Sequence, residues 1–168
     1  MNQLFAAFSD EWNANLPDAH LVARVTIRLT LALLLSAIIG WEREREHKSA
    51  GLRTHILVAL GAAIFAMAAQ ENGATPGDLT RVVQGIATGI GFIGGGVILQ
   101  LVDERRVKGL TTAAGLWLTG AIGVSAGMGR MTTAILGSVL CWIVLAIFHR
   151  LEKHEAENQP KSGHDSTI

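Results

Sequence analysis

Five apolar runs separated by short polar connections constrain this chain more than any other feature of its sequence. They cover roughly residues 21–40, 52–70, 82–101, 110–127 and 131–149. A helix needs about 20 apolar residues to cross a hydrocarbon layer of about 30 Å, and only helices or closed barrels satisfy their backbone there. The sequence therefore predicts an all-α membrane protein, a compact bundle of five transmembrane helices with antiparallel chain neighbours.

The composition agrees with a membrane protein and argues against several other classes. Hydrophobic residues make up 49% and charged residues 17% of the 168 residues, whereas soluble domains carry about 25% charged residues. The net charge is zero and the chain has no Tyr, so neither a basic excess nor an aromatic platform favours nucleic-acid binding. The single cysteine, Cys141, lies in an apolar run, which indicates a packing residue.

The distribution of Lys and Arg predicts the orientation of the bundle. Ten basic residues lie in the connections 41–53 and 102–108 or after residue 149, whereas the alternate connections carry only Arg81 and Arg130. Because basic connections stay in the cytoplasm, we expect the N-terminus outside and the C-terminus in the cytoplasm.

This orientation divides the chain into three parts. Residues 1–20 are an extracytoplasmic lead, either an interfacial helix or a disordered segment. Residues 21–149 form the five-span membrane domain. Residues 150–168 are polar, and we expect them to be a disordered cytoplasmic tail.

Two arginines lie near the outer end of the first run. Arg24 and Arg28 are four residues apart and share one helix face. In one interpretation both side chains snorkel to the outer interface. In the other, Arg28 faces the bundle and pairs with Glu71 or Asp78 from the connection between the second and third runs.

The third run is dense in glycine. Its stretch "GIGFIG" matches a dinucleotide-binding fingerprint, but the strand before it and the acidic residue after it are missing. Small residues four apart favour close helix packing instead, which we assign to Gly85, Gly89, Gly91, Gly94, Gly95 and Gly96. The alternative is a kink or unwound turn near Gly94–Gly96, of the kind that lines sites in transporters.

The stretch "GVSAG" at residues 123–127 matches the nucleophile elbow of serine hydrolases. That elbow belongs to a strand–turn–helix unit, which this sequence does not predict. His55 and His149 lie at the inner ends of their runs, whereas Ser125 lies at an outer end. We therefore expect no enzymatic activity.

The stretch "GWEREREHKSAGLRTH" at residues 40–55 is the most highly charged connection. The uninterrupted apolar run Ile56–Ala69 has 14 residues, or roughly 21 Å of helix, so the second span must begin near Leu52. Arg53, Thr54 and His55 are then in the helix at the membrane boundary. Either the charges only anchor the topology, or they form an inner-rim polar cluster, for which the candidates are Glu42, Arg43, Glu44, Lys48, Arg53, Thr54, His55, Asp103, Lys108, Thr111 and Thr112.

These segments also resemble a known family. "GWEREREHKSAGLRTHILVALGAA", "RVVQGIATGIGFIGGGVI" and "VKGLTTAAGLWLTGAIGVSAGMG" resemble the membrane domain of the MgtC/SapB family, in the family's order and over roughly residues 25–148. The family pattern falls on residues 42–44 and 50–55, on glycines of the third run and on residues 109–113. Longer members also have a soluble C-terminal domain, for which this chain has only about twenty residues after the last run.

The resemblance implies a function and a location. Members are bacterial inner-membrane proteins linked to magnesium homeostasis, and some are described as modulating other membrane machines. We therefore expect a multi-pass inner-membrane protein of magnesium homeostasis or stress adaptation that contacts lipids and binds other membrane proteins or itself. The alternative is a transporter or channel for Mg²⁺ or another ion. No cofactor is evident, Mg²⁺ is the physiological ion that the resemblance suggests, and the residues assign no metal site.

Overall fold

The computed structural model describes residues 18–99 and 108–158, together with positions 3, 5 and 6 of the lead. Five helices account for nearly all of these residues: α1 (Ala19–Arg45), α2 (Leu52–Glu71), α3 (Pro76–Leu99), α4 (Leu110–Gly127) and α5 (Met131–Asn158). The described part of the chain contains no strand. The prediction of an all-α bundle is therefore confirmed.

Four of the helices, α1 to α4, are long and apolar enough to cross a membrane. In α5 the described apolar part is Met131–Ile147, which is shorter than the other four. The last two residues of the fifth predicted span, 148 and 149, lie outside the residues whose side chains the structure describes. Which side of the membrane each helix end faces stays a prediction.

Helix α3 begins at Pro76, six residues before the apolar run that predicted it. Thr75 and Asp78 form a capping box, in which the Thr75 backbone N–H donates to Asp78 Oδ2 at 3.1 Å and the Asp78 N–H to Thr75 Oγ1 at 3.3 Å. Proline suits the first helical position because its missing N–H has no partner there anyway. Polar residues therefore extend the helix beyond its apolar run.

Helix α5 continues to Asn158, into the segment predicted to be a disordered tail. Residues 151–157 are rich in Leu, Glu, Lys and Ala, which have high intrinsic helix propensity. Residues 159–168, and most of the predicted lead, lie outside the described residues.

A very close backbone contact joins α2 and α4. A Cβ placed on Gly123 would lie 2.8 Å from the Cα of Ala59, and one on Gly127 would lie 2.8 Å from the Cα of Ala63. These distances are too short for any side chain, so two glycines on α4 rest directly on two alanines of α2. The "GVSAG" stretch is therefore a helix-packing motif, and the Ser125 hydroxyl donates to the Ala121 carbonyl of its own helix at 2.9 Å.

Helix α3 packs on α4 through a different face from the one predicted. Ile90 lies over Gly120, and Gly94 is the predicted packing glycine with a close neighbour, since a Cβ there would be 3.3 Å from the Cβ of Ala113. The other five have open space within this chain, because a Cβ on Gly85, Gly89, Gly91, Gly95 or Gly96 would have no atom within 4 Å. Their role in helix packing therefore stays a prediction. The helix is continuous through Gly94–Gly96, so the alternative of an unwound turn was wrong.

At the end of the bundle where α2 and α4 finish, Arg28 faces inward. Its Nη1 donates to Gln70 Oε1 at 2.9 Å and to the Gly127 carbonyl at 2.7 Å. The predicted partners were therefore wrong: Asp78 is held in the capping box, and the Glu71 side chain is exposed. Carbonyls at a helix C-terminus lack partners and attract cations, which explains why Arg28 binds the end of α4. Arg24 is exposed.

We expect Gly123→Ala to destabilise the protein because its methyl group would meet the backbone of Ala59, which cannot rotate away. Overpacking of this kind costs about 1–3 kcal/mol. The matched control is Gly89→Ala, which has open space and gains up to about 1 kcal/mol of helix propensity. Thermal unfolding in detergent measures both variants. Equal stability of the two would contradict the α2–α4 contact described above.

Candidate functional site

The polar residues that the structure brings together lie where α1 ends and where α2 and α4 begin, which we call the charged end. Close approach of α1 and α2 creates it. A Cβ on Gly40 would lie 2.8 Å from the Cα of Leu52 and 3.0 Å from the Cβ of His55. Glycine at this position allows the two backbones to meet, and this contact places the last turn of α1 beside the first turn of α2.

The centre of the charged end is an ion pair between neighbouring residues. Glu42 accepts two hydrogen bonds from the Arg43 guanidinium, one from Nε and one from Nη2 at 2.5 Å. The Arg43 side chain is 2% exposed and that of Glu42 is 15% exposed. Removing a guanidinium and a carboxylate from water costs free energy. Their attraction offsets this cost only when the two groups bond in matching geometry. The pair therefore depends on both of its members.

A second carboxylate of the same stretch caps α2. Glu44 Oε2 accepts a hydrogen bond of 2.7 Å from the backbone N–H of Leu52. The first N–H groups of a helix have no partner within it and carry partial positive charge. Gly51 leaves room for this contact, since a Cβ there would lie 2.6 Å from Glu44 Oε2. The Glu44 carboxylate thus fixes the start of α2 relative to the end of α1.

The imidazole of His55 is enclosed by the bundle. The residue has 0% exposure, and its Nδ1 lies 2.9 Å from the carbonyl of Gly51 one turn earlier. As predicted, His55 is in the first turn of α2 rather than in a free loop.

Comparison with known proteins identifies the family. The model of the MgtC family matches residues 29–154, which include all of α2, α3 and α4 and most of α1 and α5. The chain belongs to the MgtC family. No solved structure matches it.

Relatives within the MgtC family are identical to this chain at about two fifths of the aligned residues. Protein SrpB of Synechococcus elongatus is 41% identical over 140 residues, which cover 77% of each chain. YhiD of Escherichia coli K12, named as a candidate magnesium transporter, is 41% identical over 78% of this chain and 63% of its own. Protein MgtC of Salmonella typhimurium is 40% identical over 68% of this chain and 48% of its own. The aligned part thus spans about half the length of MgtC.

The predicted polar cluster of this MgtC-family chain separates into two groups. Glu42, Arg43, Glu44 and His55 interact as described, and Thr112 is also buried at 4% exposure. The side chains of Lys48, Arg53, Lys108 and Thr111 are exposed and that of Thr54 is half-buried. Asp103 lies outside the described residues. The residues described above as interacting at the charged end are therefore fewer than those of the predicted polar cluster.

Sequence reasoning missed the polar and small residues deeper in the bundle. Thr119 is buried at 0% exposure, and Ser138 donates to the Leu35 carbonyl of α1 at 3.2 Å. Gly115 approaches His55, since a Cβ there would lie 3.8 Å from Nε2. The available signal was spacing: Gly115, Thr119, Gly123 and Gly127 recur every four residues on one face of α4.

We expect loss of either member of the Glu42–Arg43 pair to destabilise the bundle more than loss of both. Glu42→Gln leaves a buried guanidinium without its countercharge, which costs about 3–5 kcal/mol. The double variant Glu42→Gln/Arg43→Met also removes the positive charge of Arg43, so it should recover most of the lost free energy of unfolding. Unfolding in detergent gives the comparison, with Arg45→Gln as a control because Arg45 is exposed on the same helix. Additive effects of the two single changes would show that the pair is unimportant.

Proposed function

We propose that this MgtC-family chain acts in magnesium homeostasis or stress adaptation as a non-enzymatic inner-membrane protein that binds other membrane proteins or a second copy of itself. The observation that carries the proposal is the open glycine face of α3. Gly85 and Gly89 lie one turn apart, and a Cβ on either would have no atom within 4 Å. Glycines at this spacing allow another transmembrane helix to approach closely.

An apolar groove beside this face supports the same proposal. It lies between α2 and α3 and has a volume of about 550 Å³. Leu57, Gly61 and Phe65 of α2 form one wall, and Gly85 and Gly89 belong to the other. Gly61 is also open, with no atom within 4 Å of a Cβ placed there. Small residues on both walls make the groove accessible to the side chains of an approaching helix.

The charged end fits a structural role within this proposal. Its two interacting carboxylates already have partners, because Glu42 binds Arg43 and Glu44 caps α2. The Glu44 contact helps to fix α2, which forms one wall of the groove. The exposed cations around them, Lys48 and Arg53, suit contact with anionic headgroups of membrane lipids.

The second candidate is transport of Mg²⁺ or another ion, and the name of YhiD favours it. Mg²⁺ prefers six oxygen ligands, several of them waters. Within the described residues, no three side chains among His, Cys, Asp and Glu converge on a common point. We therefore place transport second.

Site-specific photo-crosslinking in native membranes tests the interaction proposal. A photoreactive residue at position 89, on the open face, should give one defined adduct with a membrane protein or with a second copy of the chain. The same residue at position 136, which is exposed on α5, is the matched control and should not give that adduct. The bulky Gly85→Leu change should abolish the adduct and impair growth at low magnesium without unfolding the protein. Identical adducts from both positions, or lipid adducts alone, would contradict the proposal.

Purified protein in liposomes that contain a magnesium-sensitive dye separates the two candidates. We expect the Mg²⁺ influx to equal that of protein-free liposomes, because the proposed function needs no ion path. The Glu42→Gln/Arg43→Met variant is the control, since it alters the charged end and we expect the bundle to keep its fold. Influx with the wild type that this variant lacks would favour transport instead.

A further inference from the structure

The hydrogen bonding of His55 fixes the state of its ring. Nδ1 lies 2.9 Å from the Gly51 carbonyl, and a carbonyl oxygen can only accept, so Nδ1 carries the hydrogen. In the neutral ring Nε2 is then a bare acceptor. Because the residue has 0% exposure, this acceptor faces the interior of the bundle.

Two buried polar atoms in the described part of the chain have no hydrogen-bond partner, and they lie on facing helices. They are Nε2 of His55 on α2 and Oγ1 of Thr119 on α4. Both residues have 0% exposure. Buried polar groups are nearly always hydrogen-bonded, to protein or to an ordered water. Each of these two atoms therefore calls for a partner.

The packing of α2 on α4 places both atoms at the same level. Gly123 rests on Ala59 and Gly127 on Ala63, so each position of α4 lies opposite the α2 residue numbered 64 lower. One turn back along both helices, Thr119 lies opposite His55. Side chains on a helix lean toward its N-terminus, so both residues lean toward the level of Gly115.

Gly115 leaves space at that level. A Cβ on it would lie 3.8 Å from His55 Nε2, which is ordinary contact distance. A methyl group would therefore fit in the space beside Nε2, and Gly115, which has none, leaves that space open. Within the described residues, no three side chains among His, Cys, Asp and Glu come together, so the ligand set is too small for a metal ion such as zinc.

We propose that His55 Nε2 and Thr119 Oγ1 bind one water molecule in the space beside Gly115. The water donates one hydrogen to Nε2 and exchanges a second hydrogen bond with the threonine hydroxyl, which can donate or accept. Two polar partners meet the minimum for an ordered interior water. The site lies between the tightest part of the α2–α4 contact and the Glu42–Arg43 pair, so it links the charged end to the packed middle of the bundle.

Nuclear magnetic resonance of the full chain in lipid bilayers, labelled with ¹⁵N-histidine, tests this site. His55→Gln identifies the His55 signals by their loss. We expect His55 Nδ1 to be protonated, Nε2 to be unprotonated, and Nε2 to receive magnetisation from water protons. Thr119→Val should abolish that transfer, whereas Thr119→Ser, which keeps the hydroxyl, should retain it.

A second variant leaves both polar residues unchanged. Gly115→Ala places a methyl group in the space beside Nε2 and should abolish the transfer from water while the ring tautomer stays the same. A protonated Nε2, no transfer from water in the wild type, or full transfer in Thr119→Val would each overturn the proposal. Transfer from the threonine hydroxyl alone would also overturn it, because the two side chains would then bond directly. The wild-type spectrum decides the matter if a variant does not fold.

Discussion

The close contact between α2 and α4 is the interaction on which the rest of the bundle depends. Gly123 and Gly127 lie directly on Ala59 and Ala63, so the two backbones cannot slide along each other without a clash. Between apolar helices in lipid the hydrophobic effect offers little attraction, and close packing must supply it. This fixed register places His55 opposite Thr119, and at the other end it brings Gln70 and the Gly127 carbonyl within reach of Arg28.

The charged end shows why acidic residues alternate with basic ones after the first span. Topology requires only an excess of Lys and Arg on one side. The carboxylates serve the fold: that of Glu42 neutralises the buried Arg43, and that of Glu44 binds the backbone N–H of Leu52. Gly40 and Gly51 are required for the same reason, since a Cβ on either would meet atoms of this arrangement. The stretch at residues 40–55 therefore fixes how α1 packs against α2, and Lys48 and Arg53 are exposed around this contact.

How far the sequence predicts this structure depends on the physical cause of each feature. Span number and helical class follow from the length of apolar runs, which the membrane enforces locally. Packing partners do not follow from the length of the apolar runs. The pairs Gly85–Gly89 and Gly123–Gly127 have the same spacing, but only the second pair meets a neighbouring helix of this chain. The partner of Arg28 was missed because charge complementarity pointed to Glu71 and Asp78, whereas carbonyls freed at a helix end compete equally well. The start of α3 was readable from Thr75 and Asp78, which form a capping box.

The glycine pair Gly123 and Gly127 on α4 and the pair Gly85 and Gly89 on α3 have the same four-residue spacing. The packing of the first pair therefore indicates what the second pair, on the open face of α3, can contact. Inside the bundle, glycines on α4 allow backbone contact with α2 because no side chain intervenes. On α3 the same spacing faces outward beside an apolar groove, where flexible lipid chains or a helix can fill the space. A helix loses little conformational freedom on packing there, whereas an acyl chain must be ordered to fill a fixed groove. For this reason we propose that a rigid partner with small residues of its own, rather than lipid, packs on this face, as α2 packs on α4.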